Sequence, residues 1–378
     1  MKVVIAIDSL KGSLTSVEAG MAAREGILRA RPSAQAEVRP LADGGEGTVE
    51  ALVYGMRGRT RQITVTGPLG EPVECRYGII DETHTAVMEM AQAAGITLIP
   101  REKRNPMFTT TFGVGEMIRD AVSCGCRRFL MGIGGSATND GGIGMLSALG
   151  YEFWDQEGHA VPYGAKGLEK LWSVSGEHVI PELAECEFRI ACDVINPLCG
   201  ENGCSAVYGP QKGASEEMIG KMDRWMERYA HLAKQTYPNA NPDYPGAGAA
   251  GGMGFAFLTF ANAVLESGIQ IVLEETNLEQ YVKEADYVVT GEGQLDGQTA
   301  MGKAPVGVAR LAKKYGKKVI AFAGSVTADA KDCNREGIDA YFPILRRVCT
   351  LEEAMDKENA FANLADTAEQ VFRLLPDC

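Results

Sequence analysis

The first sixty residues alternate short apolar runs with polar loops and helical segments. Residues 3–7 are apolar and rich in β-branched side chains, which is typical of a buried parallel strand. Thr15 and Glu18 form a capping box, which predicts the start of a helix. A second strand is predicted at 37–41 and a second helix at 49–55. This order of strand, loop and helix is that of a doubly wound α/β sheet.

The middle of the chain has a different pattern, in which short strands follow one another directly. Apolar and polar residues alternate at 62–65, 73–77 and 85–88, and turns rich in glycine, proline or acidic residues separate these runs. This pattern indicates an antiparallel meander. Further predicted elements of the middle region are strands at 128–133, 150–154, 187–191 and 205–208 and helices at 112–124 and 216–235.

The last hundred residues return to alternating strands and helices. The predicted strands lie at 286–290, 318–323 and 340–344, and the helices at 304–315 and 351–374. We therefore expect an α/β protein in which both chain ends, residues 1–60 and 275–378, share one Rossmann-like parallel sheet. Residues 61–274 would form a second, mixed α/β domain inserted between those ends.

The composition narrows the classes of function. A chain of 378 residues is longer than one hydrophobic core usually supports, so we expect two domains. The formal net charge of −13 disfavours nucleic acid and membrane as partners. The apolar run at the beginning is too short for a signal peptide, and the cysteines lack zinc-site spacing. We expect a cytoplasmic monomer or small homo-oligomer with reduced thiols.

One stretch without charges, residues 246–265, is nominally long enough to span a membrane. Its first half is mostly glycine and alanine and no basic flank marks an orientation, so we predict a glycine-rich loop that leads into a buried helix. The stretch also fits the dinucleotide pattern G-x-G-x-x-G. No strand precedes it, however, so it does not predict a dinucleotide cofactor.

A five-residue pattern, Asp-Gly-Gly-x-Gly, occurs at residues 43–47 and again at residues 140–144. A carboxylate beside paired glycines can hold a metal ion while bare backbone N–H groups face an anion. Two such turns in an acidic protein suggest a site for a phosphorylated, metal-bound substrate. The alternative is that each copy is a tight turn whose aspartate caps a helix.

Three other loops also follow predicted strands, at the sheet edge where open parallel sheets bind ligands. Asp8 and Lys11 in the first loop could orient a cation-bound phosphate or a carboxylate. Residues 134–142 offer hydroxyls, an amide and a carboxylate for phosphate or polyol contacts. Residues 291–304 include a glycine–lysine sequence, but Ala304 stands where a P-loop has Ser or Thr, so the Walker interpretation is weak. The alternative for the first loop is a capped loop with a surface ion pair, and the alternative for residues 134–142 is a plain loop.

Asp193 follows another apolar run and precedes Asn196 and Pro197. It is a candidate base, and turn initiation is an equal alternative. No serine or cysteine motif accompanies the four histidines, so the sequence does not predict a nucleophile of that kind.

Taken together, these loops resemble those of the bacterial glycerate kinase family, whose two-domain members include enzymes that form 2-phosphoglycerate. The likeness lies in residues 8–15, 41–48, 134–144, 193–200, 209–214, 246–254 and 291–302. These segments span nearly the whole chain in order. The resemblance implies ATP- and Mg²⁺-dependent phosphorylation of D-glycerate, with 2-phosphoglycerate favoured over 3-phosphoglycerate. It also implies a Rossmann-like domain split around an inserted α/β domain.

We expect this activity to reside in a cleft between the two domains. Asp193 is the first candidate for the base that accepts the proton of the attacking hydroxyl, and Asp8 is the second, with Lys11 neutralising phosphate or carboxylate. The candidates for contacts to metal or nucleotide ribose are Asp43, Glu292 and Asp296. The candidates for phosphate and substrate contacts are Ser136, Thr138, Asn139, Asp140, Gly44, Gly45 and Lys303.

Two alternatives to a glycerate kinase stay open. A kinase for another small sugar acid would differ in which acid it accepts with ATP. A non-catalytic sensor of a phosphorylated metabolite would bind its ligand without consuming ATP. The number of glycine loops with acidic residues or lysine exceeds what a sensor needs.

Overall fold

The computed structural model describes residues 1–376, which divide into two compact units. The first unit contains Met1–Asp43, Glu50–Arg57 and the chain from Ile269 onward, and the second contains Gly44–Val49 and Gly58–Gly268. The predicted segments, 1–60 with 275–378 and 61–274, differ by a few residues at the main junctions. They also did not anticipate that residues 44–49 join the second unit. Residues 377 and 378 of the predicted segment lie outside the described residues.

The strands are β1 (Lys2–Ile7), β2 (Gln35–Val38), β3 (Arg59–Thr66), β4 (Pro72–Ile80), β5 (Thr85–Glu89), β6 (Arg128–Gly132), β7 (Glu152–Trp154), β8 (Ser173–Ser175), β9 (Glu187–Ala191), β10 (Val264–Glu266), β11 (Tyr287–Leu295), β12 (Lys318–Val326) and β13 (Ala340–Pro343). The α-helices are α1 (Ser16–Ala30), α2 (Thr48–Gly55), α3 (Ala91–Ala94), α4 (Phe112–Ser123), α5 (Ile143–Ala148), α6 (Ala165–Lys170), α7 (Cys204–Tyr208), α8 (Glu216–Thr236), α9 (Ala249–Phe260), α10 (Gly268–Glu275), α11 (Leu278–Glu284), α12 (Gly297–Ala300), α13 (Ala304–Lys314), α14 (Asp332–Arg335), α15 (Leu351–Met355) and α16 (Lys357–Leu374).

The first unit is built on a five-stranded parallel sheet in the order β2-β1-β11-β12-β13. The predicted parallel sheet shared by both chain ends is therefore confirmed. Counted along this unit, the order is the doubly wound 2-1-3-4-5, which reverses direction between β1 and β11. Open α/β sheets bind ligands at such a switch point, outside the carboxyl ends of the strands. The topology therefore draws attention to the loops that follow β1 and β11.

Helix α1 shows how the sequence sets local structure in this unit. The Thr15 side chain accepts the Glu18 amide and the Glu18 side chain accepts the Thr15 amide, so the predicted capping box is confirmed. One face of α1 packs on α16, and Gly26 permits the close approach. A Cβ at Gly26 would lie 1.9 Å from the Ala365 carbonyl oxygen, so a larger residue would push the helices apart.

The second unit contains a six-stranded mixed sheet in the order β10-β9-β6-β5-β4-β3. Strands β3, β4 and β5 are antiparallel, as the alternating pattern predicted, and β5, β6, β9 and β10 are parallel. A separate hairpin pairs β7 with β8. The parallel half places the ends of four strands, and hence their following loops, at one edge.

Two sequence predictions about local structure are wrong. Residues 205–208 were predicted as a strand but form helix α7, in which the Val207 and Gly209 amides donate to the Gly203 and Ser205 carbonyls. The segment is too short for its apolar residues to show a period, so packing of α7 against α8 and α9 decides its conformation.

The second error concerns the end of β11. The strand was predicted to end at residue 290, but its pairing with β12 continues to Leu295. Gly291 allows this because its backbone lies so close to β12 that a Cβ would be 2.0 Å from the Phe322 carbonyl oxygen. Glu292 is consequently held on a strand, not in a loop.

The stretch 246–265 contains helix α9, as predicted, and most of its residues are buried. Within residues 1–376, the structure contains no helix with both the length and the apolar character needed to cross a membrane.

Candidate functional site

A cavity of about 410 Å³ lies in the first unit at the carboxyl ends of β1 and β11. Its polar wall contains four carboxylates and two lysines: Asp8, Asp43, Glu292, Asp296, Lys11 and Lys303. The cavity thus lies at the topological switch point. The structure brings together six of the residues that the sequence analysis proposed for the site, from three separate segments of the chain.

Asp8 is the most buried of these carboxylates, with 6% of its surface exposed. Burial and the neighbouring charge of Asp43 raise the pKa of Asp8 to about 7, although the Ser9 amide, at 2.7 Å, works against the shift. Lys11 also lowers this pKa, but its side chain is largely exposed. A carboxylate with a pKa near neutrality can take up and release a proton at physiological pH.

Glu292 and Asp296 are oriented by contacts within their own segment. The Thr299 hydroxyl donates to Glu292 Oε1 at 2.6 Å, and burial raises the Glu292 pKa. Asp296 caps α12 by accepting the Gln298 and Thr299 amides, and Lys303 Nζ lies 4.0 Å from Asp296 Oδ1. Asp296 thus caps a helix and also lines the cavity.

The donor set of the cavity fits a hard divalent cation. Carboxylate oxygens are the ligands that Mg²⁺ prefers. The cavity lining contains four carboxylates and two lysines, so acidic side chains outnumber basic ones. Among the described residues, three closely grouped ligand side chains occur only at Asp155, Glu157 and His159, on an exposed turn. The cavity carboxylates are more dispersed. That spacing suits Mg²⁺, which usually takes one or two protein carboxylates and completes its shell with water and substrate phosphates.

In the second unit, Asp140 follows β6 and is completely buried. Its Oδ2 accepts the Thr111 amide and hydroxyl, each at 2.9 Å, and its Oδ1 accepts the Gly142 amide at 3.1 Å. Burial still raises its pKa. The protein's own donors engage both oxygens, so the contacts support a structural role for Asp140 more than the predicted role in substrate binding.

Lys212 is buried beside the same loop, with 2% of its surface exposed. Its ammonium donates to Ser136 Oγ at 2.7 Å and to the Thr138 carbonyl at 2.6 Å, and burial lowers its pKa to about 8. Lys212 therefore links the loop at residues 136–138 to the segment at residues 210–212, which lies much later in the chain. Asn139 is also buried and donates to Ser205 Oγ at 2.9 Å.

The glycines of the first Asp-Gly-Gly turn pack on the sheet edge of the second unit. A Cβ at Gly44 would lie 2.4 Å from that of Ala191, and Gly45 Cα lies 3.7 Å from the position of a Cβ on Gly134. Glu89, at the end of β5, accepts the Val49 amide at 2.9 Å and orders this turn. Asp193 is exposed in the loop after β9 and accepts the Gly268 amide at 3.2 Å.

Comparison with known proteins identifies the family. The family model described as "Glycerate kinase family" matches residues 3–376. The chain is 46% identical to "Glycerate 2-kinase" of Escherichia coli K12, with 98% of this chain and 97% of that protein aligned. It is 45% identical to "Glycerate kinase" of Haemophilus influenzae, over 99% of both chains. The chain belongs to the glycerate kinase family.

A solved structure leads to the same family. The solved structure described as "Crystal structure of putative glycerate kinase 2 from Salmonella typhimurium LT2" matches with a TM-score of 0.91 at 46% identity, covering 98% of this chain and 97% of that one. The resemblance inferred from the glycine loops is thus confirmed, and so is the α/β fold class. The match covers the segments of both units, so the cavity and the Lys212 cluster both lie within the family's shared region.

Sequence reasoning did not assign a role to Glu89, to Lys212 or to the cavity wall formed by residues 344–360. Glu89 was detectable as an acidic residue that ends an apolar strand. Lys212 stands beside Gly213 in a short glycine-containing segment, and nothing in its neighbouring residues shows that it is buried. The wall is apolar surface, which carries no motif.

Proposed function

We propose that this protein phosphorylates D-glycerate with ATP, forms 2-phosphoglycerate and uses Mg²⁺. The observation that carries the proposal is the carboxylate-and-lysine cavity at the switch point of a chain in the glycerate kinase family. Phosphoryl transfer depends on positioning and charge neutralisation more than on covalent chemistry, and this donor set supplies both. The preference for the 2-position rests on the name of the Escherichia coli relative, "Glycerate 2-kinase".

The roles of the side chains follow from their surroundings. Asp43, Glu292 and Asp296 are the proposed metal-facing carboxylates, and Lys11 and Lys303 are the proposed phosphate contacts. A bound Mg²⁺ would supply charge neutralisation for the phosphates. These residues would orient the nucleotide.

The choice of base differs from the order expected from sequence. Asp193 was the first candidate and Asp8 the second. The pKa of about 7 and the position in the cavity favour Asp8, because a general base works best with a pKa near the operating pH. Asp193 is exposed and its Oδ1 accepts a backbone amide, which also suits a turn-forming residue.

Proton-coupled phosphorus NMR of the protein with D-glycerate, ATP and Mg²⁺ tests both the activity and the product. Phosphate on the 2-hydroxyl couples to one proton and yields a doublet, whereas phosphate on the 3-hydroxyl couples to two and yields a triplet. We expect the doublet. A triplet would reject the proposed regiochemistry, and no new phosphomonoester would reject the glycerate kinase proposal.

The two alternatives predict different results in the same assay. Faster turnover of another small sugar acid would identify that acid as the substrate. Ligand binding without ATP consumption would favour a sensor. The cytoplasmic location and the oligomeric state expected from the sequence stay predictions.

A further inference from the structure

The cavity in the first unit has a second, apolar wall that the proposed phosphate chemistry does not use. This wall consists of side chains between the end of β13 and the first turn of α16: Ile344, Leu345, Leu351, Ala354, Met355 and Ala360. It shares one volume of about 410 Å³ with the carboxylates and lysines. The cavity is therefore apolar on one side and charged on the other.

Several of these apolar side chains are exposed. Leu351 has 78% of its surface exposed, Leu345 38% and Met355 37%, all within a short segment. Single exposed apolar residues are common on protein surfaces, but a group of them beside a polar site is typical of a ligand-binding wall. The wall is thus available to a ligand with an apolar part.

The two walls meet at Gly12, in the loop that also carries Asp8 and Lys11. Gly12 has a φ of +85°, and a Cβ there would lie 2.5 Å from Met355 Cε. The absence of a side chain lets the Met355 methyl group lie over the backbone of the loop. A ligand on the apolar wall therefore lies next to the segment that carries the charged groups.

We infer that this cavity is the nucleotide site, with the purine base on the apolar wall and the phosphates at the carboxylate and lysine end. The inference rests on the proposed function, since it names the ligand of that site. Glycerate is a three-carbon acid without an apolar face and would leave the wall uncovered. A purine nucleoside triphosphate combines an apolar ring with a metal-binding polyphosphate, and the volume lies in the range of small-molecule pockets.

Calorimetric titration with two probes, MgADP and magnesium tripolyphosphate, separates the contribution of the purine nucleoside to binding from that of the phosphates. Ala354→Phe places a ring in the apolar half of the cavity. We expect it to weaken MgADP binding at least tenfold and to change tripolyphosphate binding less than twofold. Val348→Ala is the matched control, because Val348 is fully exposed in the same segment and does not line the cavity. It should change neither affinity.

Leu351→Ser provides a second variant in case the added ring disturbs folding. Leu351 is so exposed that its truncation should leave thermal unfolding unchanged, while MgADP affinity should fall severalfold. Unchanged MgADP affinity in this well-folded variant would overturn the inference. So would equal weakening of both probes by Ala354→Phe in a folded protein, or a failure of the unsubstituted protein to bind MgADP.

The same measurements distinguish this inference from the proposed function. A protein that phosphorylates glycerate but shows no selective loss of MgADP binding retains its function and refutes the placement of the base. A protein that shows the selective loss but does not phosphorylate glycerate retains the nucleotide site and refutes the proposed substrate.

Discussion

Asp43 and Asp140 begin the same Asp-Gly-Gly-x-Gly pattern, yet the two units use them in opposite ways. Asp43, in the first unit, lines the cavity with 39% of its side chain exposed, 3.8 Å from Lys11. Asp140, in the second unit, has no exposed surface, and three protein donors engage its oxygens. A buried carboxylate is tolerated when donors surround it, and those donors leave little capacity for a ligand.

The difference teaches that this pattern reports a backbone turn and not a role. The first glycine of the pair has a positive φ in both copies, at Gly44 and Gly141, whereas the second glycine has one only in the second copy, at Gly142. The neighbours of the aspartate then determine whether it faces a ligand or supports the loop. Substitutions in the two units can test this division.

The largest effect is expected on activity in the first unit. Asp8→Asn should lower kcat by about a thousandfold, the order typical of losing a general base. Stability should not fall, because the Asp8 pKa is raised: ionised Asp8 is penalised in the folded state above pH 7, and asparagine removes that penalty. Steady-state kinetics and denaturant unfolding at pH 8 measure both quantities. Near-normal turnover would reassign the base, with Asp193→Asn as the next variant.

The second effect is expected on stability in the second unit. Asp140→Ala leaves the Thr111 amide and hydroxyl and the Gly142 amide without their acceptor in a buried site. Each buried unsatisfied group costs about 1–3 kcal/mol, so we expect the free energy of unfolding to fall by about 3 kcal/mol or more. Denaturant unfolding measures this. A fall in the free energy of unfolding of less than about 1 kcal/mol would show that the buried contacts of Asp140 do not stabilise the loop.

The third effect is a pH dependence from Lys212. Its folded pKa of about 8 lies below the ordinary 10.5, so between these values the unfolded chain holds a proton that the folded protein has lost. The contribution of Lys212 to the free energy of unfolding therefore rises with pH, by about 1.4 kcal/mol per pH unit. Between pH 8 and pH 10, the free energy of unfolding of the unsubstituted protein should rise by about 2 kcal/mol relative to that of Lys212→Met.

Urea unfolding of both proteins across that pH range measures the difference. Cys204 and Asp140 are the titratable neighbours of Lys212, and both proteins retain them. Because Lys212 lowers the pKa of Cys204, the difference between the two proteins reports Lys212 together with its charge coupling to that thiol. Parallel pH profiles would contradict a lowered Lys212 pKa.

The smallest effect is expected from Asp43→Ala on stability. Asp43 is partly exposed and its Lys11 contact is a surface ion pair, so unfolding free energy should change by less than about 0.5 kcal/mol. Thermal unfolding beside Asp140→Ala provides the direct comparison of the two copies. A loss as large as that of Asp140→Ala would remove the distinction between them. Affinity for Mg²⁺ with ADP should fall in Asp43→Ala if its carboxylate faces the metal.

Much of the fold was predictable because it depends on local signals. The apolar run of β1, the Thr15 capping box and the antiparallel meander each follow from residue types and spacing in one segment. The errors lie where contacts distant in sequence decide. Pairing with β12 extends β11 through two glycines, and packing makes a helix of residues 204–208.

By itself, the sequence determined the α/β class, the parallel sheet shared by the chain ends and membership of the glycerate kinase family, since these reside in local periodicity and in an ordered set of glycine loops. Only the tertiary structure decided which acidic residue of a repeated pattern lines a cavity, that Lys212 is buried, and that an apolar wall shares the cavity with the carboxylates. The physical reason is that burial, and with it the energy of a charge, depends on segments that the sequence places far apart.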